Sequence, residues 1–153
     1  MLQKWIYLLV VFFLVFQGHA LADSGTEGVL QKLREDCQTL LIETYKNENS
    51  FVRAAVLRAA GESHDIKLIP LLTKGLEDYY PTARLFALQG LKNISRTAVL
   101  TAARKLTNDT DIWVRSAAVE ILGDEGGPEV AEEIRSYLKS YDVPMKLAAS
   151  AGL

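Results

Sequence analysis

Four segments begin 31 residues apart: VRAAVLRAAGE at 52–62, ARLFALQGLKN at 83–93, VRSAAVEILGD at 114–124 and MKLAASAGL at 145–153. Each has a basic residue at its second position: Arg53, Arg84, Arg115 and Lys146. A fixed period of this size is typical of stacked supersecondary units that bury their apolar faces against one another. The sequence therefore predicts a repeat protein rather than a single globular core.

Each unit begins with the start signal of a helix. Asn49, Asp111 and Asp142 share the position just before the apolar run. A short polar side chain there accepts hydrogen bonds from the first free backbone amides. The second unit has Tyr80 instead, but Pro81 follows it, and a proline at the first helical position loses no hydrogen bond. We expect a first helix in every unit.

The ends of these first helices are predicted from glycine. Gly61 and Gly123 share the position that follows the last apolar turn, where a left-handed residue often ends a helix. The second unit has Lys92 there, and the neighbouring Asn93 is expected to take the left-handed conformation. Gly126-Gly127-Pro128 is expected to form a turn that enters the next helix.

A second helix is predicted after a short polar connection in each unit. In the first unit the apolar side chains recur with helical spacing at Ile66, Leu68, Ile69, Leu71, Leu72 and Leu76. Pro70 and Pro128 fall near the starts of their helices, where proline is tolerated. We therefore predict an all-α fold, an α-solenoid in which antiparallel helix pairs form a right-handed superhelix. Its units are 49–79, 80–110, 111–141 and a partial unit at 142–153.

Residues 1–22 have the layout of a secretory signal peptide. Lys4 precedes an unbroken apolar run from Trp5 to Phe16, and Ala20-Leu21-Ala22 provides a cleavage site. The alternative is a retained membrane anchor, but Gln17 interrupts the run before about 20 apolar residues have accumulated. Cleavage after Ala22 predicts an exported protein, periplasmic or secreted, most simply in a bacterial envelope.

Residues 23–48 are expected to form an N-terminal capping helix for the stack. Ser24 and Glu27 have the spacing of a capping box, and an amphipathic pattern follows them. Cys37 is the single cysteine, so it cannot pair within the chain. It shares a column with Leu68, Val99 and Val130, which favours a buried thiol over an exposed one that dimerises.

The repeated units resemble HEAT repeats, in particular the short class of about thirty residues found in phycobilin-lyase-type proteins. The residues that carry the resemblance are Asp78 with Arg84 and Ala87, and Asp109 with Arg115 and Ala118. It implies a ladder of ion pairs and hydrogen bonds between neighbouring units, since a forked guanidinium bridges a carboxylate and a carbonyl. The alternative is an arginine column that grips an anionic ligand.

The composition argues against nucleic-acid binding, and the sequence contains few residues suited to metal binding or catalysis. The formal net charge is −2, and −3 without residues 1–22, so no basic face is available for nucleic acid. His64 with Glu62 and Asp65 is better read as a polar loop than as a metal site, which wants three or four well-placed ligands. No nucleophile–base pair or phosphate loop is visible. We expect no cofactor, no metal and no catalysis.

Two surfaces are candidates for protein binding. The first is an aromatic edge, where large rings at the starts of the first helices serve as interface anchors; the alternative is that these rings pack between repeats. It comprises Phe51, Tyr79, Tyr80, Trp113 and Tyr141. The second is a polar column on the second helices, suited to an acidic peptide or simply solvated. It comprises Thr73, Lys74, Arg104, Lys105 and Arg135.

Three functional hypotheses remain open from the sequence. The leading one is an exported, non-catalytic scaffold that binds a protein or peptide along its helices. The second, by family analogy, is a lyase-like or chromophore-handling protein. The third is a piece of a longer repeat array, because the pattern stops within a first helix at Leu153, and an open apolar end would favour self-association.

Overall fold

A computed structural model describes residues 24–152, and that part of the chain is helical without strands. Its eight α-helices are α1 (Ser24–Thr44), α2 (Ser50–Glu62), α3 (Ile69–Gly75), α4 (Pro81–Ile94), α5 (Arg96–Leu106), α6 (Ile112–Gly126), α7 (Ala131–Tyr137) and α8 (Val143–Ala151). Short 3₁₀ turns at Ile66–Leu68 and Pro128–Val130 precede α3 and α7. The predicted all-α solenoid is confirmed, while its handedness and the unit boundaries stay predictions.

The starts of the first helices follow the predicted capping chemistry. Asn49 accepts a hydrogen bond from the amide of Phe51, and Asp111 accepts from those of Trp113 and Val114. Asp142 likewise accepts from the amide of Met145. Tyr80 makes no side-chain cap, and Pro81 begins α4 as expected. Local spacing alone therefore determined where these four helices begin.

The predicted helix ends were wrong. Gly61 lies inside α2 and Gly123 inside α6, and neither has a positive φ. Among residues 24–152 a positive φ is found at His64 (53°) and Gly127 (70°), so Asn93 is not left-handed either. Instead, these glycines allow the backbones of neighbouring helices to approach closely. A Cβ at Gly61 would collide with the backbone of Gly90, and one at Gly123 with the backbone of Gly152.

The core runs between the first and second helices of successive units. Leu57, Leu72, Leu88 and Leu122 have no exposed surface, and neither has Ile134. α2 packs on α4 and α6 packs on α8, while α5 lies against both α4 and α6. Pro70 falls in the first turn of α3, where it breaks no helical hydrogen bond. The buried apolar faces match the helical periodicity of the sequence.

The chain divides after Thr39 into two units. Of the first, the structure describes α1 from Ser24 onward, where Cys37 is exposed. The prediction of a buried thiol was wrong, because sharing a sequence column with apolar residues does not by itself bury a side chain. The Ser24 side chain and the signal peptide predicted at 1–22 lie outside the described residues. Among the described helices, none is both long and apolar enough to cross a membrane.

Candidate functional site

A buried ion pair between Arg53 and Asp78 lies at the start of α2. The Arg53 guanidinium donates from Nε to Asp78 Oδ2 at 2.6 Å and from Nη2 to Asp78 Oδ1 at 2.8 Å. Its Nη1 donates to the carbonyls of Asn47 and Glu48 at 3.0 and 2.9 Å. Both side chains are at least nine-tenths buried. Arg53 thus connects the turn before α2 to the turn before α4.

The same arrangement recurs one unit later. Arg84 donates from Nη2 to Asp109 Oδ1 at 2.6 Å and from Nε to Asp109 Oδ2 at 2.8 Å. Its Nη1 donates to the carbonyl oxygens of Asp78 and Tyr79 at 2.8 and 3.2 Å. Each aspartate thus accepts from the preceding arginine through its carboxylate, while its carbonyl accepts from the following one. This is the ladder that the resemblance implied.

The third rung uses a different acid. Arg115 donates from Nη2 to Asp142 Oδ2 at 2.6 Å, because the column of Asp78 and Asp109 holds Ser140 here. Asp142 also caps α8 through the amide of Met145. Ser140 still accepts a hydrogen bond from the backbone amide two residues later. Its hydroxyl accepts from the amide of Asp142, as the Asp109 carboxylate accepts from that of Asp111. One aspartate therefore combines two roles that earlier units divide.

The arginine and aspartate charges of the ladder stabilise one another. Hydrogen bonds from Arg53 lower the pKa of Asp78, and the bond to Asp78 raises the pKa of Arg53. Burial, the largest single influence, would raise the pKa of Asp109, but the hydrogen bonds from Arg84 and from the Asp111 amide, together with the nearby arginine charges, lower it on balance. Burial, and then the Asp78 carboxylate, raise the pKa of Tyr45 to about 12. The Tyr45 hydroxyl donates to Asp78 Oδ2 at 3.1 Å. All of these groups keep their ordinary charge at neutral pH.

Next to the ladder lies the predicted aromatic edge, defined as Phe51, Tyr79, Tyr80, Trp113 and Tyr141. Phe51 is 70% exposed, Tyr79 74%, Trp113 68% and Tyr141 fully exposed, whereas Tyr80 is half-buried. Phe51 and Tyr80 meet edge to face, with ring centroids 5.4 Å apart. The Arg53 guanidinium lies 4.7 Å from the centre of the Tyr79 ring. The alternative, that the rings pack between repeats, holds for Tyr80 and in part for Phe51, which packs against it.

The comparison with protein families agrees with this geometry. A family model for HEAT repeats matches residues 69–153, which is more than half of the chain. The chain belongs to the HEAT-repeat family. A search of curated proteins found no match. HEAT repeats commonly act as scaffolds for protein interactions, because stacked helix pairs present an extended surface.

The polar column on the second helices of the HEAT units is charge-compensated. Thr73, Lys74, Arg104, Lys105 and Arg135 are all exposed. The paired cations and their distances are Lys105 to Glu77 at 2.8 Å, Arg104 to Glu133 at 3.3 Å and Arg135 to Glu132 at 2.9 Å. Lys74 Nζ lies 5.6 Å from the centre of the Tyr45 ring. Binding of an acidic peptide by this column stays a prediction, and the pairing favours a solvated face.

One feature that the sequence reasoning missed is a shallow pocket between the first helices of two HEAT units. It has a volume of about 140 Å³ and lies where α2 and α4 approach at Gly61 and Gly90. Phe86 lies in its wall, with the Arg58 guanidinium 5.8 Å from the ring centre. The sequence signal for it is the presence of glycine at both Gly61 and Gly90, although Gly61 by itself predicts a helix end.

His64 occupies the exposed connection between α2 and α3. Its Nδ1 lies 2.9 Å from the Glu62 carbonyl oxygen, and its backbone has the left-handed φ that ends the helix. Within residues 24–152, no three His, Cys, Asp or Glu side chains are grouped as metal ligands. We therefore treat His64 as part of the turn, and the expected lack of catalysis stays a prediction.

Proposed function

We propose that this HEAT-repeat protein is an exported, non-catalytic scaffold that binds a protein or peptide through the aromatic edge. The observation that carries the proposal is the exposure of Phe51, Tyr79, Trp113 and Tyr141 at the starts of the first helices. Aromatic side chains provide large contact area with few rotatable bonds, so they anchor interfaces at low entropic cost.

The rigidity of the edge supports this role. Tyr79 follows Asp78 and Tyr141 precedes Asp142. These two acids are held by Arg53 at the start of α2 and by Arg115 at the start of α6, respectively. Phe51 and Trp113 lie in the first turns of helices whose starts are capped by Asn49 and Asp111. Rings mounted on an ordered backbone lose little freedom when a partner binds, which favours affinity.

Two parts of the proposal, export and membership of the short HEAT class, are supported by the sequence. The apolar run of Trp5 to Phe16 and the Ala20-Leu21-Ala22 site support signal cleavage and delivery to the periplasm or the outside. The period of 31 residues and the spacing of Asp78, Arg84 and Ala87 support membership of the short, phycobilin-lyase-type class of HEAT units. If export is correct, N-terminal sequencing of the chain recovered from the envelope fraction should begin at Asp23; Met1 would contradict it.

Site-specific photo-crosslinking tests the binding surface. A photoreactive phenylalanine analogue is placed at Trp113 or Tyr141, and for comparison at Thr101, an exposed residue of α5. We expect discrete protein or peptide adducts from the two edge positions and none from Thr101. Adducts from Thr101 alone, or the same pattern from all three positions, would contradict binding at the edge.

A further inference from the structure

One turn of the ladder lacks the acid of its column. In the turn between α7 and α8, the column of Asp78 and Asp109 holds Ser140. The Ser140 hydroxyl accepts from the Asp142 amide at 3.1 Å. The Asp109 carboxylate accepts in the same way from the Asp111 amide, at 2.8 Å. An uncharged hydroxyl therefore takes the place that a carboxylate has one unit earlier.

The preceding turn, before α6, has balanced charges. Its acids are Asp109 and Asp111. Arg84 donates to the Asp109 carboxylate at 2.6 Å, and Arg115 donates to the Asp109 carbonyl oxygen at 2.8 Å. Two carboxylates therefore offset two guanidinium groups in this turn.

The turn before α8 has an excess of positive charge. Lys139 lies in it, and Lys146 takes the place in α8 that Arg115 takes in α6, since each backbone amide donates to the N-cap carbonyl of its helix. Both lysines are exposed, and among residues 24–152 neither ammonium group has an ion pair or a hydrogen bond. Arg115 and the two lysines thus flank a turn whose one acid is Asp142.

The acids of α7 do not compensate this excess. Glu132 pairs with Arg135 at 2.9 Å, and Glu133 pairs with Arg104 at 3.3 Å. Both carboxylates are therefore engaged with cations of the second helices.

Hydrogen-bond donors for an incoming anion remain in this turn. A guanidinium has five N–H donors, and Arg115 forms four bonds, two to Asp142 and two to backbone carbonyls. Its side chain is 25% exposed. The Ser140 hydroxyl accepts one bond and still has its own proton to donate. A carboxylate here would meet charged donors, which form the stronger hydrogen bonds.

We propose that this turn binds a carboxylate of an acidic peptide segment at Ser140. We call Arg115, Lys139, Ser140 and Lys146 the open rung. In ladder order Ser140 lies between Arg115 and Lys146, as Asp109 lies between two arginines, so the ligand supplies the missing acid. The inference rests on the proposed function for the ligand being a peptide, because Tyr141 of the aromatic edge adjoins Ser140 and is fully exposed.

The test is an NMR titration of the ¹⁵N-labelled full chain with acetyl-Gly-Glu-Glu-Gly-amide, in which the two glutamates carry all the charge. We expect the amide signals of Tyr141 and Lys146 to shift and to saturate with a dissociation constant on the order of 1 mM. Tyr79 and Thr110 hold the place of Tyr141 in turns whose acid is present, so their signals should stay unchanged. Acetyl-Gly-Gln-Gln-Gly-amide is the uncharged control and should shift none of them.

Substitutions at the open rung sharpen the test. Ser140→Asp supplies the acid from within the chain and should weaken binding of the glutamate peptide at least about fivefold. Ser140→Asn has the same size without the charge and should leave binding unchanged. Lys146→Met should weaken binding about threefold, whereas Lys67→Met, at an exposed lysine of the 3₁₀ turn before α3, should have no effect.

The outcomes separate this inference from the scaffold proposal. If the glutamate peptide shifts no signal while crosslinks persist at Trp113 and Tyr141, the open rung is overturned and the scaffold proposal stands. If the signals shift but no crosslinks form, carboxylate binding stands and binding at the aromatic edge fails. Equal weakening in Ser140→Asp and Ser140→Asn would overturn the inference, because binding would then not depend on the missing charge. Shifts with inorganic phosphate and none with the glutamate peptide would overturn it as well.

Discussion

Two boundaries between first helices can be compared, that of α2 with α4 and that of α4 with α6. They have the same contacts near the helix starts and different contacts near the helix ends. Both have a buried arginine–aspartate rung, Arg53 with Asp78 and Arg84 with Asp109. At the far end of the first boundary, Gly61 meets Gly90 backbone to backbone. The second boundary has Lys92 in the column of Gly61, and its Nζ lies 2.7 Å from Asp124 Oδ2.

The difference shows that one repeat column supports two kinds of junction. Where the column holds glycine, the helices approach until no side chain fits between them. Where it holds Lys92, a long side chain reaches over the next helix to Asp124, and Arg96 donates from Nε to the Glu125 carbonyl at 2.7 Å. The first junction depends on shape and the second on partly exposed charge, so the two should respond to different perturbations.

The largest expected effect comes from the rung that both boundaries share. Asp78→Ala removes the carboxylate that accepts from Arg53, Tyr45 and the Tyr80 amide, leaving a buried guanidinium unpaired. We expect a loss of about 3–5 kcal/mol in the free energy of unfolding, measured by urea denaturation. Glu77→Ala, at the exposed neighbouring acid, should change it far less, because exposed ion pairs contribute little to stability. A loss in Asp78→Ala as small as that in Glu77→Ala would show that the ladder contributes little.

Acid should weaken the same rungs. The pKa values of Asp78 and Asp109 are lowered in the folded chain, chiefly for Asp78 by hydrogen bonds from Arg53 and for Asp109 by those from Arg84 against the effect of burial. Their stabilisation is therefore complete above the unfolded value of about 3.9 and is lost as pH falls through the folded values. Unfolding free energy should drop below about pH 4. In Asp78→Asn that drop should be smaller, and an unchanged profile would argue against this assignment.

The glycine junction is tested by one methyl group. Gly61→Ala places a Cβ against the Gly90 backbone, so the helices must separate, and we expect a loss of about 1–3 kcal/mol. Gly28→Ala is the matched control in α1, since a Cβ there meets no atom within 4 Å. It should gain up to about 1 kcal/mol from helix propensity. Thermal denaturation of both variants decides the matter, and equal shifts in melting temperature would refute close approach at Gly61.

The smallest effect is expected at the polar junction. Lys92→Met keeps the length of the side chain and removes its charge, and about a third of the Lys92 side chain is exposed. The loss should stay below about 1 kcal/mol and should vanish in about 1 M salt, where exposed ion pairs are screened. The Gly61→Ala penalty should not change with salt. A Lys92→Met penalty that persists in salt would mean that packing, not charge, holds α4 to α6.

The sequence by itself determined the repeat, the helix starts and the class of fold. Asn49, Asp111 and Asp142 cap their helices as predicted, because a cap joins a side chain to a backbone amide two or three residues away. The ladder was implied by resemblance, and Arg53 and Arg84 form it as expected. Interactions confined to a few residues, or repeated at a fixed period, leave their pattern in the sequence.

Only the tertiary structure decided which contacts bridge the units. It gave Arg115 the carboxylate of Asp142 in place of the missing acid at Ser140, and it turned Gly61 from an expected helix end into a point of close approach. It also left Cys37 exposed although its column is apolar in later units. These outcomes depend on atoms that lie 25 or more residues apart in the chain. Distance and burial between such atoms follow from how the helices pack, which no local spacing specifies.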